Sequence, residues 1–178
     1  MVINNSANNG NTVTFKTLTK AMRNDLSQFI KGLSQTTYCD ATNISRRSFV
    51  STIYRLINVK TIVIVGRKTE GIVSFGMLTV SRSLNSQHNR SALVSGLVVK
   101  TELQGKGLGT ATLNRLLTVA KQKGCKKARL IALKRNVKVV AFYEKRGFKI
   151  TCEKLILPLD DDVGAIEVYE MEKPLMHL

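Results

Sequence analysis

The chain is 178 residues long, 43% hydrophobic, with a mean hydropathy of −0.03. That suits one soluble domain with a proper core, and no apolar run approaches the ~20 residues of a membrane span. The net charge of +16 is uneven: residues 1–150 carry 26 basic and 5 acidic side chains (+21), and residues 151–178 carry 2 and 7 (−5). Such a field attracts polyanions, whether nucleic acid, phosphorylated metabolites or a phosphate-rich cofactor, unless it serves solubility alone.

The opening "MVINNSANNGN" is polar, lacks the layout of a secretory signal and reads as a flexible tail over residues 1–11, ahead of a domain over 12–178. "TVTFKTLT" alternates as a strand, and "KAMRNDLSQFIKGLSQT" and "ISRRSFVSTIYRLI" carry apolar residues at helical spacing, the second capped at Asn43 or Ser45. "KTIVIVGRKTEGIVSFGMLTVSR" is a hairpin turning near Lys68–Gly71. "SLNSQHNR" reads as a loop and "SALVSGLVVK" as a buried strand. A helix over "LGTATLNRLLTVAKQKG" ends at Gly124, and Cys125 starts the strand "CKKARLIAL". "VKVVAFYEKRG" is a short helix. "FKITCEKLIL" and "AIEVYEMEKP" are two last strands around the acidic turn "DDDVG".

The order β-α-α-β-β-β-α-β-α-β-β predicts an α/β fold with a central mixed sheet of about seven strands and about four helices. Cys39, Cys125 and Cys152 make neither a metal motif nor a disulfide framework, which points to reduced thiols and a cytoplasmic setting. Asp160–Asp162 read as a hydrated turn, so no metal is expected.

The chemistry concentrates in "QGKGLGT". A strand ends, Gly105, Gly107 and Gly109 follow within five positions, and a helix begins near Leu108. The first amides of a helix have no partner inside it, and its dipole favours negative charge there. Glycines let a phosphate approach the main chain closely. Neither a P-loop nor a dinucleotide fingerprint is present. Further along, Asn136 and Tyr143 stand seven residues apart, about two helical turns, which predicts that they share one helical face.

With "GLVV" before it, "NVKVVAFYEKRGF" after it and "YEMEKPL" as closing strand, the Q-x-x-G-x-G stretch resembles the GCN5-related N-acetyltransferase (GNAT) superfamily over roughly residues 12–174. The resemblance implies acetyl-CoA as cofactor, lying where two parallel strands splay apart. It implies that Leu97, Val98 and Val99 pair with the pantetheine arm. Gln104, Gly105, Lys106, Gly107, Leu108, Gly109 and Thr110 would wrap the pyrophosphate, with Asn136 on the pantetheine side. Tyr143 would be the catalytic residue, near the thioester sulfur and protonating the leaving thiolate. An amine attacks the thioester carbonyl, and an amide at the end of the Leu97–Val99 strand would steady the oxyanion.

Within the superfamily the chain looks most like glucosamine-6-phosphate N-acetyltransferase. Where that enzyme carries "GHIED", this chain has Ala92, Leu93, Val94, Ser95 and Gly96, so its two acids have no counterpart. Glu102, Glu167, Glu170, Ser95 and His88 are the remaining candidates to aid deprotonation, and a base-free route through water is a further one. The expected function is acetyl transfer to a primary amine, glucosamine 6-phosphate or another phosphorylated or RNA-linked amine. The alternative is a catalytically degenerate GNAT-fold protein that binds, on nucleic acid or in a larger assembly. A stand-alone RNA-binding module ranks last, because no RNA-recognition motif is present. Expected partners are a small-molecule or peptide amine and a polyanion on the basic face, with no membrane and a homodimer left open.

Overall fold

Alternation in the strands and 3.6-residue spacing in the helices divide the apolar residues among three layers. The computed structural model describes residues 12–33, 46–57, 61–83, 86–156 and 165–175. The tail 1–11, Cys39, the Asn43 and Ser45 cap positions and the acidic turn 160–162 lie outside the described residues. The elements follow the expected order: β1 (Thr14–Thr17), α1 (Arg23–Lys31), α2 (Arg46–Leu56), β2 (Thr61–Lys68), β3 (Gly71–Ser83), β4 (Ser86–Val99), α3 (Leu108–Gln122), β5 (Cys125–Leu133), α4 (Val137–Glu144), β6 (Lys149–Ile156) and β7 (Ile166–Pro174). One mixed sheet takes the strands in the order β1-β2-β3-β4-β5-β7-β6. β4 and β5 form its parallel pair, registered from Arg90↔Cys125 to Leu93↔Arg129.

In the stretch 83–90, expected as a loop, the described residues are a correction: β3 continues to Ser83 and β4 already begins at Ser86. The polar run "SQHNR" is strand because its backbone finds a neighbour in the sheet, and side-chain polarity does not register that.

Backbone contacts group the chain into two compact units, residues 1–79 with 96–119 and residues 80–95 with 120–178. In the first, α1 and α2 cover one face of β2 and β3. Leu26, Phe29 and Ile30 of α1 and Val50 and Ile53 of α2 join Val63, Val65, Phe75 and Met77 in one buried cluster. Phe29 meets Phe75 edge-on at 5.9 Å. Helix α3 lies on the other face of β3. Gly76 lets it come close: a Cβ there would stand 2.7 Å from a methyl of Leu116. Beside it the fully buried Ser74 and Thr112 hydroxyls bond at 2.9 Å, and Thr112 also donates to the Leu108 carbonyl at 2.8 Å. This pair pins the first turn of α3 to β3, and with it the glycine turn that precedes the helix.

In the second unit β5 pairs antiparallel with β7, and β7 with β6. Ala128, Leu130 and Ala132 point to the buried face of β5, whereas all eight residues of β6 are exposed. Cys125 is fully buried at the start of β5, and burial pushes its thiol pKa up. Gly147, at φ +82°, closes the turn after α4. Among the described residues no helix is long and apolar enough to cross a membrane, and no cluster of His, Cys, Asp and Glu could hold a metal.

Candidate active site

The predicted site residues fall into two groups, one in each unit. The first runs from the end of β4 into α3. Gly96, to which the sequence reading gave no role, has φ +62° inside the strand. A Cβ there would find ordinary contacts with Met77 and Phe75, so its glycine is required by backbone conformation and not by space. Leu97, Val98 and Val99 complete the strand beyond Gly96. Val98 is buried at 4% exposure in the helix-covered core, and Leu97 and Val99 are half-buried. An isolated glycine within a strand pattern is the signal that could have found it.

A short 3-10 turn at Thr101–Leu103 then carries the chain away. It is anchored by the Lys100 amide donating to the Val73 carbonyl at 2.9 Å. The Lys100 amide is therefore spent, which leaves any oxyanion donor to the preceding residues. Gln104 is exposed, and its side-chain amide donates to the Val99 carbonyl at 3.2 Å. It thus acts on the turn's own backbone, fixing where the strand stops. Gly105 and Gly107 follow at φ +75° and +81°. A Cβ on either would meet nothing within 4 Å. Lys106 between them is exposed. The Gly107 carbonyl accepts from Ala111 at 3.0 Å, the first bond of α3. Leu108, Gly109 and Thr110 form the half-buried first turn. Bare backbone, open space, a helix start and an exposed lysine fit a cofactor carrying a diphosphate.

The second group belongs to α4. Asn136 is its exposed N-cap, one residue outside the helix, and its side-chain oxygen accepts from the Val139 amide at 3.3 Å. Its amide NH2 remains to donate. Tyr143 is buried at 8% exposure, wedged edge-on against Phe142 at 5.1 Å and Phe148 at 5.6 Å. Burial pushes its pKa up to about 12. Arg146 closes the end of the helix, stacking on Phe142 and donating to the Phe142 carbonyl.

Two of the three carboxylates considered as bases are occupied by cations of their own unit. Glu170, 8% exposed, is held by Arg129 and Lys154, and Glu167 lies 3.5 Å from Lys134. Glu102 is exposed in the 3-10 turn, Ser95 is half-buried, and the side chain of His88 lies outside the described residues.

Residues 36–148 match the model of the acetyltransferase (GNAT) family. The chain belongs to that family. Among curated proteins, YdhI of Bacillus subtilis, an uncharacterized protein, is 40% identical over 47 residues, 26% of this chain and 29% of its own length. The chain thus matches less than a third of that relative. Among solved structures the GNAT fold recurs in the ribosomal-protein-S18-alanine N-acetyltransferase of Escherichia coli, with a TM-score of 0.68 at 17% identity over 94% of this chain and 96% of that one. It recurs also in YncA of Salmonella typhimurium, solved with its cofactor acetyl-CoA, with a TM-score of 0.70 at 16% identity over 94% and 96%. At these identities the two structures testify to the GNAT fold. Likeness to glucosamine-6-phosphate N-acetyltransferase in particular does not emerge from them.

Proposed function

We propose that the chain is an acetyl-CoA-dependent N-acetyltransferase acting on a primary amine. The observation that carries this reading is the pair of positive-φ glycines, open to solvent, at the start of α3. When bound, acetyl-CoA supplies an activated acetyl thioester. The amides from Gly105 to Thr110 would hold its diphosphate, with Lys106 adding charge. The strand backbone at Leu97–Val99 would align its pantetheine arm, and the free amide hydrogens of Asn136 would serve the same arm.

Tyr143 Oη would serve as a hydrogen-bond donor. With a pKa of about 12 it keeps its proton throughout the neutral range. Handing that proton fully to a thiolate of ordinary pKa, about 8.5, would run uphill by about 3.5 units, or about 5 kcal/mol. Its contribution is therefore a fixed dipole toward developing negative charge, not bulk acid catalysis. Since Glu167 and Glu170 are engaged by lysine and arginine, deprotonation of the amine would run through water or the exposed Glu102.

The positive field favours a phosphorylated or RNA-linked acceptor. A thiol-release assay with glucosamine 6-phosphate, polyamines and basic peptides tests this. Turnover of a phosphorylated amine above that of its unphosphorylated counterpart is the expected result. Preference for the uncharged analogue would overturn the acceptor class. The occupied carboxylates favour one second reading, a member that binds the cofactor without turnover. Calorimetric binding of acetyl-CoA with no thiol released from any of the three amine classes would establish it.

A further inference from the structure

A groove of about 620 Å³ opens on the second unit, and none of its lining residues is assigned to the cofactor. Five cations line it: Arg82 from β3, Arg90 from β4, and Lys126, Lys127 and Arg129 from β5. Among the described residues lining it Glu172 is the one acid, giving 5 − 1 = +4. Two serines and a proline complete the wall.

The groove is built by a break in strand register. Arg90 faces Cys125, but the next residue, Ser91, faces Lys127, so Lys126 is the extra residue of a bulge. In a regular strand Lys126 and Lys127 would point to opposite faces. The bulge lets both line one groove. Two of the cations are held by acids: Lys127 lies 2.9 Å from Glu172, and Arg129 bonds Glu170. Arg129 Nε lies 3.1 Å from Glu172 but is not aligned to donate, and it is buried without a hydrogen bond. Arg90 spends one nitrogen on the Lys123 carbonyl at 2.9 Å. Arg82 and Lys126 are exposed. Among the described residues lining it there is no ring on which a base could stack, so these residues offer charge and hydrogen bonds.

We propose that this groove binds the phosphodiester backbone of a nucleic acid, without base specificity. The chain carries 28 − 5 = 23 basic residues beyond the five that line the groove, and a long polyanion can meet more of them than a compact one. The groove shares no residue with the proposed acetyl-CoA site, so either proposal can fail without the other.

The test is fluorescence anisotropy of the full chain with a labelled 20-base-pair DNA duplex over a salt series. Log affinity should fall with log salt at a slope of about −2.7 to −4.5, for three to five phosphate contacts. Arg82→Ser with Lys126→Ser should shallow the slope by about 2. Lys16→Ser with Lys20→Ser removes the same charge from exposed positions outside the groove and should leave the slope within about 0.5 of the parent. Thermal melting confirms that both double variants fold. Equal loss of slope in the two would overturn the groove in favour of the general field. So would a flat salt response, displacement of the duplex by equimolar inorganic tripolyphosphate, or equal binding to phosphatidylserine vesicles.

Discussion

Tyr143 is the side chain on which the proposed chemistry turns, and burial sets its behaviour. Because its folded pKa is raised from 10.0 to about 12, its stabilising contribution is full below pH 10 and is lost as pH rises through 12. Denaturation of the parent should therefore lose up to about 2–3 kcal/mol between pH 10 and 12 beyond what Tyr143→Phe loses. Identical pH curves for the two proteins would refute the raised pKa. Loss of the hydroxyl donor in the same substitution should lower kcat by about 10² while leaving acetyl-CoA affinity within twofold. Equal losses in both would make Tyr143 a binding residue only. The sequence pointed to this tyrosine through "AFYEKRGF" but gave no sign of its two aromatic neighbours' geometry. Asn136 was legible as a polar residue at a helix start. That its oxygen is engaged on the Val139 amide follows from cap geometry, which spacing alone does not express.

Elements hold the glycine turn where it is, and two of their contacts can be measured. Ser74 and Thr112 share a buried hydrogen bond, so Thr112→Val should cost about 1–3 kcal/mol in chemical denaturation by stranding the Ser74 hydroxyl, whereas Ser74→Ala, which leaves Thr112 donating to Leu108, should cost about 0.5–1.5 kcal/mol. Ser74→Ala with Thr112→Val should cost less than the sum of the singles by about 0.5–2 kcal/mol. Strict additivity would mean that the bond does not form. Gly96→Ala should cost about 1–2 kcal/mol through its φ of +62°, since the space for a methyl exists. Helix α3 was legible from Leu113, Leu116 and Leu117 because helical periodicity is local. The first half of β4 was not, because its pairing partner is supplied by the sheet and "SQHNR" carries no alternation. The bulge at Lys126 was equally hidden, since register belongs to two strands at once.

At the scale of the molecule, the element order allowed the seven-stranded mixed sheet to be anticipated, and charge counting gave the sign of its field. Neither revealed how charge is distributed in space. The acids of the last strands do not form a separate negative face. Glu170 and Glu172 neutralise Arg129 and Lys127, and Glu153 and Glu167 neutralise Lys134. The remaining positive potential rests on side chains such as Arg82, Lys106 and Lys126, which stand exposed. The proposed function rests on the corner where β4 gives way to α3. Calorimetric titration of coenzyme A into the parent and into Gly105→Val with Gly107→Val addresses it most directly. The account predicts saturable one-to-one binding by the parent and at least a tenfold loss in a variant that still folds. Coenzyme A affinity unchanged by the two valines, or no binding by the parent at all, would contradict it.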